Sequence, residues 1–419
     1  MRSPVRLVDI QPLHESSAFR RLWLGNTLSG LGGQLTLVAV LFQTWTLTES
    51  TVAVGTIGLA QAVPMVVFGL LGGTLADSVD RRRLVLATTI GQVAVTALLA
   101  AQALADAGSL PLLLGLVGLQ ATCAGLGGPA RRTFPVRLLP EQLVSAGLAL
   151  NHLSIQVSML IGPALAGVVV GIWGVGACYV LDGLTFVGAL YAVLRLPSMR
   201  PLGDTDRPGL RAIWSGWQLL ASRPVLRGTL LVDLLATVLA MPVALFPAIN
   251  DERFGGDPET LGLFLSAIAL GGIVAGAGSG RATRSPRPGV IMLAAASVWG
   301  VGIAGFGLSH QLWLALGCLA VAGAADVLSV ISRGTIVQLA TPDSYRGRIS
   351  AVEHIIGVSG PDVGNFRGGL VAGVTSASFA LVSGGVLCVA GIGAVAATNT
   401  ALRRFTTHTR DREPVAAID

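Results

Sequence analysis

Five ionisable residues, Asp233, Asp326, Glu353, Asp362 and Arg367, lie inside long apolar runs of the second half of the chain. A charge at the centre of a bilayer costs at least about 2.5–3.5 kcal/mol on insertion scales, so each needs a partner or a task. The task open to a carboxylate there is to alternate between protonated and ionised states. Asp233 and Asp326 have no opposite charge at i±3 or i±4 and are read as proton-handling groups. Glu353 and Arg367 are fourteen residues apart, about 40° around a helix, and share a face, while Asp362 points roughly the other way. A competing reading makes the charges paired struts, Asp326 with Arg333 and Asp362 with Arg367. For Asp362 and Arg367 that structural or gating pair is the expectation, and for Glu353 both readings stay open. The first half is nearly empty of such groups. Asp182 stands near the start of its run, where a helix dipole favours a carboxylate, and is read as structural; His152 is read as a local hydrogen bonder near the interface.

Only long membrane helices can carry residues of this kind, and the composition supplies little else. Hydrophobic residues make up 52% of 419 and charged residues 12%, with a mean hydropathy of +0.72. A soluble protein of this length needs a charged surface that this chain lacks. Twelve apolar runs of spanning length fall at roughly 22–46, 52–75, 84–106, 110–130, 142–170, 174–195, 228–249, 260–280, 290–308, 311–340, 347–372 and 375–402. Abundant glycine without a collagen-like period, 55 residues, suits closely packed membrane helices. The expectation is an all-α polytopic membrane protein.

Every basic residue apart from histidine is arginine, and nearly all arginines border one set of loop ends: Arg20 and Arg21, Arg81 to Arg83, Arg131, Arg132 and Arg137, Arg195 to Arg227, Arg281 to Arg287, Arg346 and Arg348, and the tail from Arg403. The opposite loops carry Arg253 among Asp251, Glu252, Asp257 and Glu259. The positive-inside rule places both termini in the cytoplasm. Loop arginines of this kind set topology, so the basic balance does not indicate nucleic acid. The longest polar interruption divides the chain into a six-helix half at 1–195, a cytoplasmic linker at 196–227, a second six-helix half at 228–402 and a tail at 403–419. Within the linker, LRAIWSGWQLL spaces Trp214 and Trp217 as an interfacial amphipathic segment would. Two six-helix halves are the plan of transporters with a substrate site between repeats.

The loop after the second run reads Gly73-Thr-Leu-Ala-Asp77-Ser-Val-Asp80-Arg81-Arg82. It resembles the loop 2–3 signature of the major facilitator superfamily, G-x-L-A-D-R-x-G-R-R, with Ser78 in place of an arginine and Asp80 in place of a glycine. The fifth run carries Ser158-Met-Leu-Ile-Gly162-Pro163-Ala-Leu-Ala-Gly167, similar to the exporter motif G-x-x-x-G-P-x-x-G-G with its first glycine absent. ESSAFRRLWLG, TFPVRLLPEQLVSAGLALN, LFPAINDERF, SPRPGVIML and TPDSYRGRISAV, spread over about 16–402, resemble the siderophore-exporter branch of the drug:proton antiporters. The resemblance implies twelve transmembrane helices in two halves, a multi-pass location in the bacterial inner membrane, and proton-driven export of a siderophore-like or drug-like small molecule. It further implies that Gly73, Asp77, Arg81 and Arg82 form a conformational latch, with Asp77 meeting the start of the eleventh span near Gly347 to Ser350. Multidrug or macrolide-type efflux is the alternative, and an importer of the same fold is disfavoured by Gly162-Pro163. Many antiporters of the superfamily carry an arginine within the fourth span, where this chain has no charge.

Other classes find little footing. No nucleotide-binding loop or Ser/His/Asp arrangement stands in the short loops, so no enzyme is expected. Cys123, Cys178, Cys318 and Cys388 are scattered singly, which suits core residues rather than a metal or disulfide framework. No cofactor is expected. The partners expected are the small molecule, protons and the lipid bilayer, with the chain acting as a monomer. The polar N-terminus does not read as a cleaved signal. Asp233→Asn and Asp326→Asn are expected to abolish proton-coupled efflux.

Overall fold

The computed structural model describes residues 9–200, 217–280, 284–342 and 345–407. Helices account for nearly all of them, and no strand occurs among the described residues. A short α1 (Gln11–Glu15) precedes α2 (Ser17–Thr48), which Ser16 caps by accepting the Phe19 N–H at 3.1 Å. Then follow α3 (Thr51–Ser78), α4 (Arg81–Leu104), α5 (Leu110–Arg132), a short α6 (Phe134–Leu138) and α7 (Glu141–Leu194). The 54 residues of α7 are two helices in sequence, because Gly174 breaks the helical path at φ 78° and ψ 174°. Only glycine visits that region freely, so the chain reverses with almost no loop.

The remaining helices are α8 (Pro224–Leu234), α9 (Phe246–Phe254), α10 (Pro258–Ala277), α11 (Pro288–Leu308), α12 (Leu312–Ala340), α13 (Arg346–Val374), α14 (Ala377–Thr398) and a short α15 (Thr400–Arg403). Ten helical stretches are long and apolar enough to cross a membrane, α8 to α9 counting as one of them. The second crossing within α7 and the 29 residues of α13 bring the described helices into agreement with twelve spans. The seventh span is not the continuous helix expected from its apolar run. The second half of the predicted amphipathic segment, from Trp217, is helical; Trp214 and its neighbours lie outside the described residues, as do the tail residues after 407.

The chain forms two compact units. One comprises residues 1–49, 59–206 and 255–266; in it α2 packs along α7, and α4 packs on both α5 and α7. The other comprises 50–58, 207–254 and 267–419; there α11 is held between α12 and α14, and α13 lies on the segment that follows α8.

Candidate functional site

In the second unit, three charges from three helices converge. Arg333 on α12 makes an ion pair through Nη1 with Asp233 on α8, and its Nε lies 4.0 Å from Glu353 Oε1 on α13. The side chains are 19%, 14% and 30% exposed respectively. One cation thus faces two carboxylates, leaving one negative charge in excess unless a proton joins the cluster. Periodicity along one helix could not show this, since each partner comes from a different helix. Asp233 lacks an intrahelical partner, as expected, but it is not alone.

The strut between Asp326 and Arg333, the competing reading, is not made. Seven residues along α12 amount to about 10 Å of rise, and the guanidinium turns to Asp233 instead. Asp326 is exposed at mid-helix and makes no ion pair or hydrogen bond among the described residues. The expected pair of Asp362 with Arg367 is not made either. Five residues on a helix differ by about 140°, so the two leave α13 in different directions. Asp362 has no partner among the described residues, and its backbone lies where Gly58 of α3 approaches so closely that a Cβ would strike the Asp362 carbonyl.

Arg367 has a different task. After α8 the chain forms a π-helical turn at Leu235–Leu239, leaves helical geometry at Ala240 (φ −121°), and resumes through a 3-10 turn at Val243–Leu245 into α9. Pro242 has no N–H and blocks a continuous ladder. A break inside a membrane frees backbone groups that neighbouring side chains must satisfy. Arg367 Nη1 donates to the Leu239 carbonyl, and Asn365 Oδ1 accepts the Ala244 N–H at 3.0 Å. Gly360 and Gly364 let α13 approach this turn; a Cβ at Gly364 would collide with the Thr237 carbonyl. Charge placement gave no sign of Asn365. Pro242 beside apolar residues was the available signal of a broken helix.

In the first unit, the loop between α3 and α4 is built around Asp80. Its Oδ1 accepts the N–H groups of Arg82 (2.9 Å) and Arg83 (3.4 Å), capping α4, and the Met199 N–H at 3.3 Å. Its Oδ2 accepts the Ser198 hydroxyl. Burial, the largest single influence, pushes the carboxyl up, but hydrogen bonds from Ser198, Met199, Arg83 and Arg82 together hold it below its ordinary value of 3.8. The substitution that departs from the family signature therefore ties the loop to the chain leaving α7. Arg81 donates to the Ala76 carbonyl at 3.0 Å and pairs with Asp77 at 3.4 Å. Arg82 donates to the carbonyls of Leu194 (2.7 Å) and Val193 (3.4 Å). Gly72 meets the backbone of Gly125 and Leu126 on α5, whereas a Cβ at Gly73 would meet open space. Close packing by that pair thus rests on Gly72. The surroundings of Gly347 and the side chain of Ser350, expected opposite Asp77, lie outside the described residues.

The exporter-type motif organises α7 in the same unit. Gly162 seats Gln34 of α2, Gly167 faces Pro258 and Glu259 of α10, and Gly262 approaches the Pro163 carbonyl. The Ala164 N–H donates to Ser266 Oγ at 3.1 Å. Asp182 is fully buried eight residues beyond Gly174, beyond the first turn where a dipole acts. Thr36 of α2 donates to its Oδ2 at 2.6 Å. The cysteines carry no disulfide.

A family model described as transmembrane secretion effector matches residues 9–417. The enterobactin exporter EntS of Citrobacter koseri is 30% identical over 393 residues, 92% of this chain and 93% of that protein. The protein of the same name from Shigella boydii is also 30% identical, with the same coverage. Among solved structures, a POT family transporter in complex with 5-aminolevulinic acid superposes with a TM-score of 0.73 over 92% of this chain and 97% of its own, at 13% identity. A bacterial homologue of the human lysosomal transporter Spinster gives 0.69 over 94% and 99%, at 14% identity.

Proposed function

The chain belongs to the transmembrane secretion effector family of the major facilitator superfamily, and from that premise we propose that it exports a small molecule across the bacterial inner membrane by proton antiport. The chain is a multi-pass membrane transporter. The proposal adds outward direction, proton coupling, cytoplasmic termini and a siderophore of the enterobactin type as cargo, the cargo named for the relatives.

The observation that carries proton coupling is the cluster of Arg333 with Asp233 and Glu353. Two carboxylates and one guanidinium are neutral when one proton is bound and carry net −1 when it leaves. Asp233, in direct contact with Arg333, is the fixed counterion. Glu353, at 4.0 Å and the most exposed of the three, is the group that gains and loses the proton. Asp326, exposed and unpaired on the same helix, is the further carboxylate open to cargo or proton. Arg367 is read as structural, since it serves a backbone carbonyl.

The test is secretion of a catecholate siderophore by cells that lack their own enterobactin exporter. Expression of this chain should restore secretion, and collapsing the proton gradient should stop it. Glu353→Gln should reach the membrane and fail to secrete. Secretion that survives collapse of the gradient removes the antiport reading; no secretion of siderophore by the wild-type chain removes the cargo.

A further inference from the structure

The geometry points to Asp182 as a second proton-binding site, enclosed in the first unit and separate from the Arg333 cluster, whose proton is exchanged as the transporter works. Its occupancy by a proton stands without the antiport reading, whereas its exchange rests on that reading.

Asp182 is 0% exposed. No cation faces it. On α2 there is no ionisable residue between Arg21 and Glu49, and on α4 none from Leu84 to Leu104. On α5 the cations are Arg131 and Arg132, both in its last turn, and the Arg131 guanidinium is taken by Thr89 Oγ1 at 3.0 Å and Gln92 Oε1 at 3.3 Å. Along α7 itself the nearest titratable neighbours are Cys178, one turn earlier and directed at the Ala166 carbonyl, and Tyr179, which donates to Gln43 at 2.7 Å. An ionised carboxylate sealed from water and from every cation is far more costly to bury than a neutral acid.

The hydrogen bonds assign the proton's place. Thr36 O–H donates to Oδ2 at 2.6 Å. Thr185 O–H donates to the Asp182 main-chain carbonyl at 2.7 Å, so its single proton is already used. The same Thr185 Oγ1 lies 3.4 Å from Asp182 Oδ1, and a proton on Oδ1 makes that contact a donation from the acid to the hydroxyl. When the proton leaves, Thr185 O–H can rotate from the main-chain carbonyl to the carboxylate, while Thr36 O–H stays in place. Two hydroxyls thus serve both protonation states without moving a helix. Thr36 is half-buried and links the enclosed acid to the accessible side of α2. Gly32 closes the site, since a Cβ there would strike Thr185 Oγ1 and the Asp182 carboxyl.

Difference infrared spectroscopy of the purified, reconstituted chain tests this directly. Wild type should show a protonated-carboxyl stretch that is lost in Asp182→Asn, retained at an altered frequency in Asp182→Glu, and shifted in Thr36→Val and Gly32→Ala. Stepping the pH on the accessible side should deplete and restore that band. Superimposable wild-type and Asp182→Asn spectra overturn the site. A band that is lost in Asp182→Asn but never responds to pH overturns the exchange. Failure of Glu353→Gln to secrete, with the Asp182 band intact, bears on the Arg333 cluster alone and leaves this site standing.

Discussion

Removing the Arg333 guanidinium distinguishes a charge-balanced cluster from three unrelated side chains. In Arg333→Leu, Asp233 and Glu353 lose the cation they share. A pair of unit charges at the 4.0 Å of the Arg333–Glu353 contact is worth about 4 kcal/mol at an effective dielectric constant near 20. Taking one partner from a buried pair costs about 3–5 kcal/mol. With exposures of 14% to 30%, water screens part of this, and about 3 kcal/mol is the expected loss. At about 2–4 °C per kcal/mol for a unit of 150–250 residues, the apparent unfolding midpoint in detergent should fall by about 6–12 °C. Asp233→Asn should cost less than Arg333→Leu, because Arg333 keeps Glu353. The triple variant Asp233→Asn, Arg333→Leu, Glu353→Gln removes all three charges and should recover most of the lost midpoint. If Arg333→Leu melts with wild type, or if the triple variant is no better than the single, the three side chains do not balance one another.

Gly364→Ala places a methyl against the Thr237 carbonyl and should destabilise the protein by about 1–3 kcal/mol, read as a lower unfolding midpoint, with Gly73→Ala as the near-neutral control. Arg367→Met leaves the Leu239 carbonyl without its donor; an unpaired buried polar group costs about 1–3 kcal/mol, and amide exchange at Leu239 to Ala244 should quicken before the rest of the unit. Asp80→Ala removes a helix cap worth about 1 kcal/mol, and trypsin should then cut faster at Arg195 and Arg200. The Asp80 carboxyl is held below its ordinary value, so its contribution is full above the ordinary carboxylate range and disappears as the pH falls through the lowered value. The difference between wild type and Asp80→Ala should vanish in acid, whereas Asp80→Asn should keep much of the cap at neutral pH.

The helices were legible because a membrane imposes a length on every apolar run. The turn between the fifth and sixth crossings fell at Gly174, as the sequence boundary at 170–174 anticipates. The partners of the charges were hidden for a geometric reason. Spacing along one helix reports faces and same-helix neighbours, and on that basis Asp362 was paired with Arg367, a partner the structure does not give it, while the Asp233 and Glu353 contacts of Arg333 had no signal. Arg333 pairs with Asp233 across a hundred residues of sequence, and Arg367 takes a carbonyl left open only because α8 gives way to a π turn. Asp80 was visible as a departure from the family signature, but its meaning depended on Ser198 and Met199, which approach it only after α7 has folded.

The charges on α13 also bear on the order in which the membrane receives the chain. Arg346, Arg348, Glu353, Asp362 and Arg367 make this helix an unfavourable candidate for entering lipid by itself. Synthesis from the N-terminus delivers α8 and α12 first, so Arg333 and the open Leu239 carbonyl are already in the bilayer when α13 emerges. Glu353 and Arg367 then meet partners that offset their desolvation as the helix enters. The polar contacts of the finished transporter thus offset the charges of α13 only once α8 and α12 are in place, and a rearranged chain that presented α13 before α12 is expected to insert it poorly.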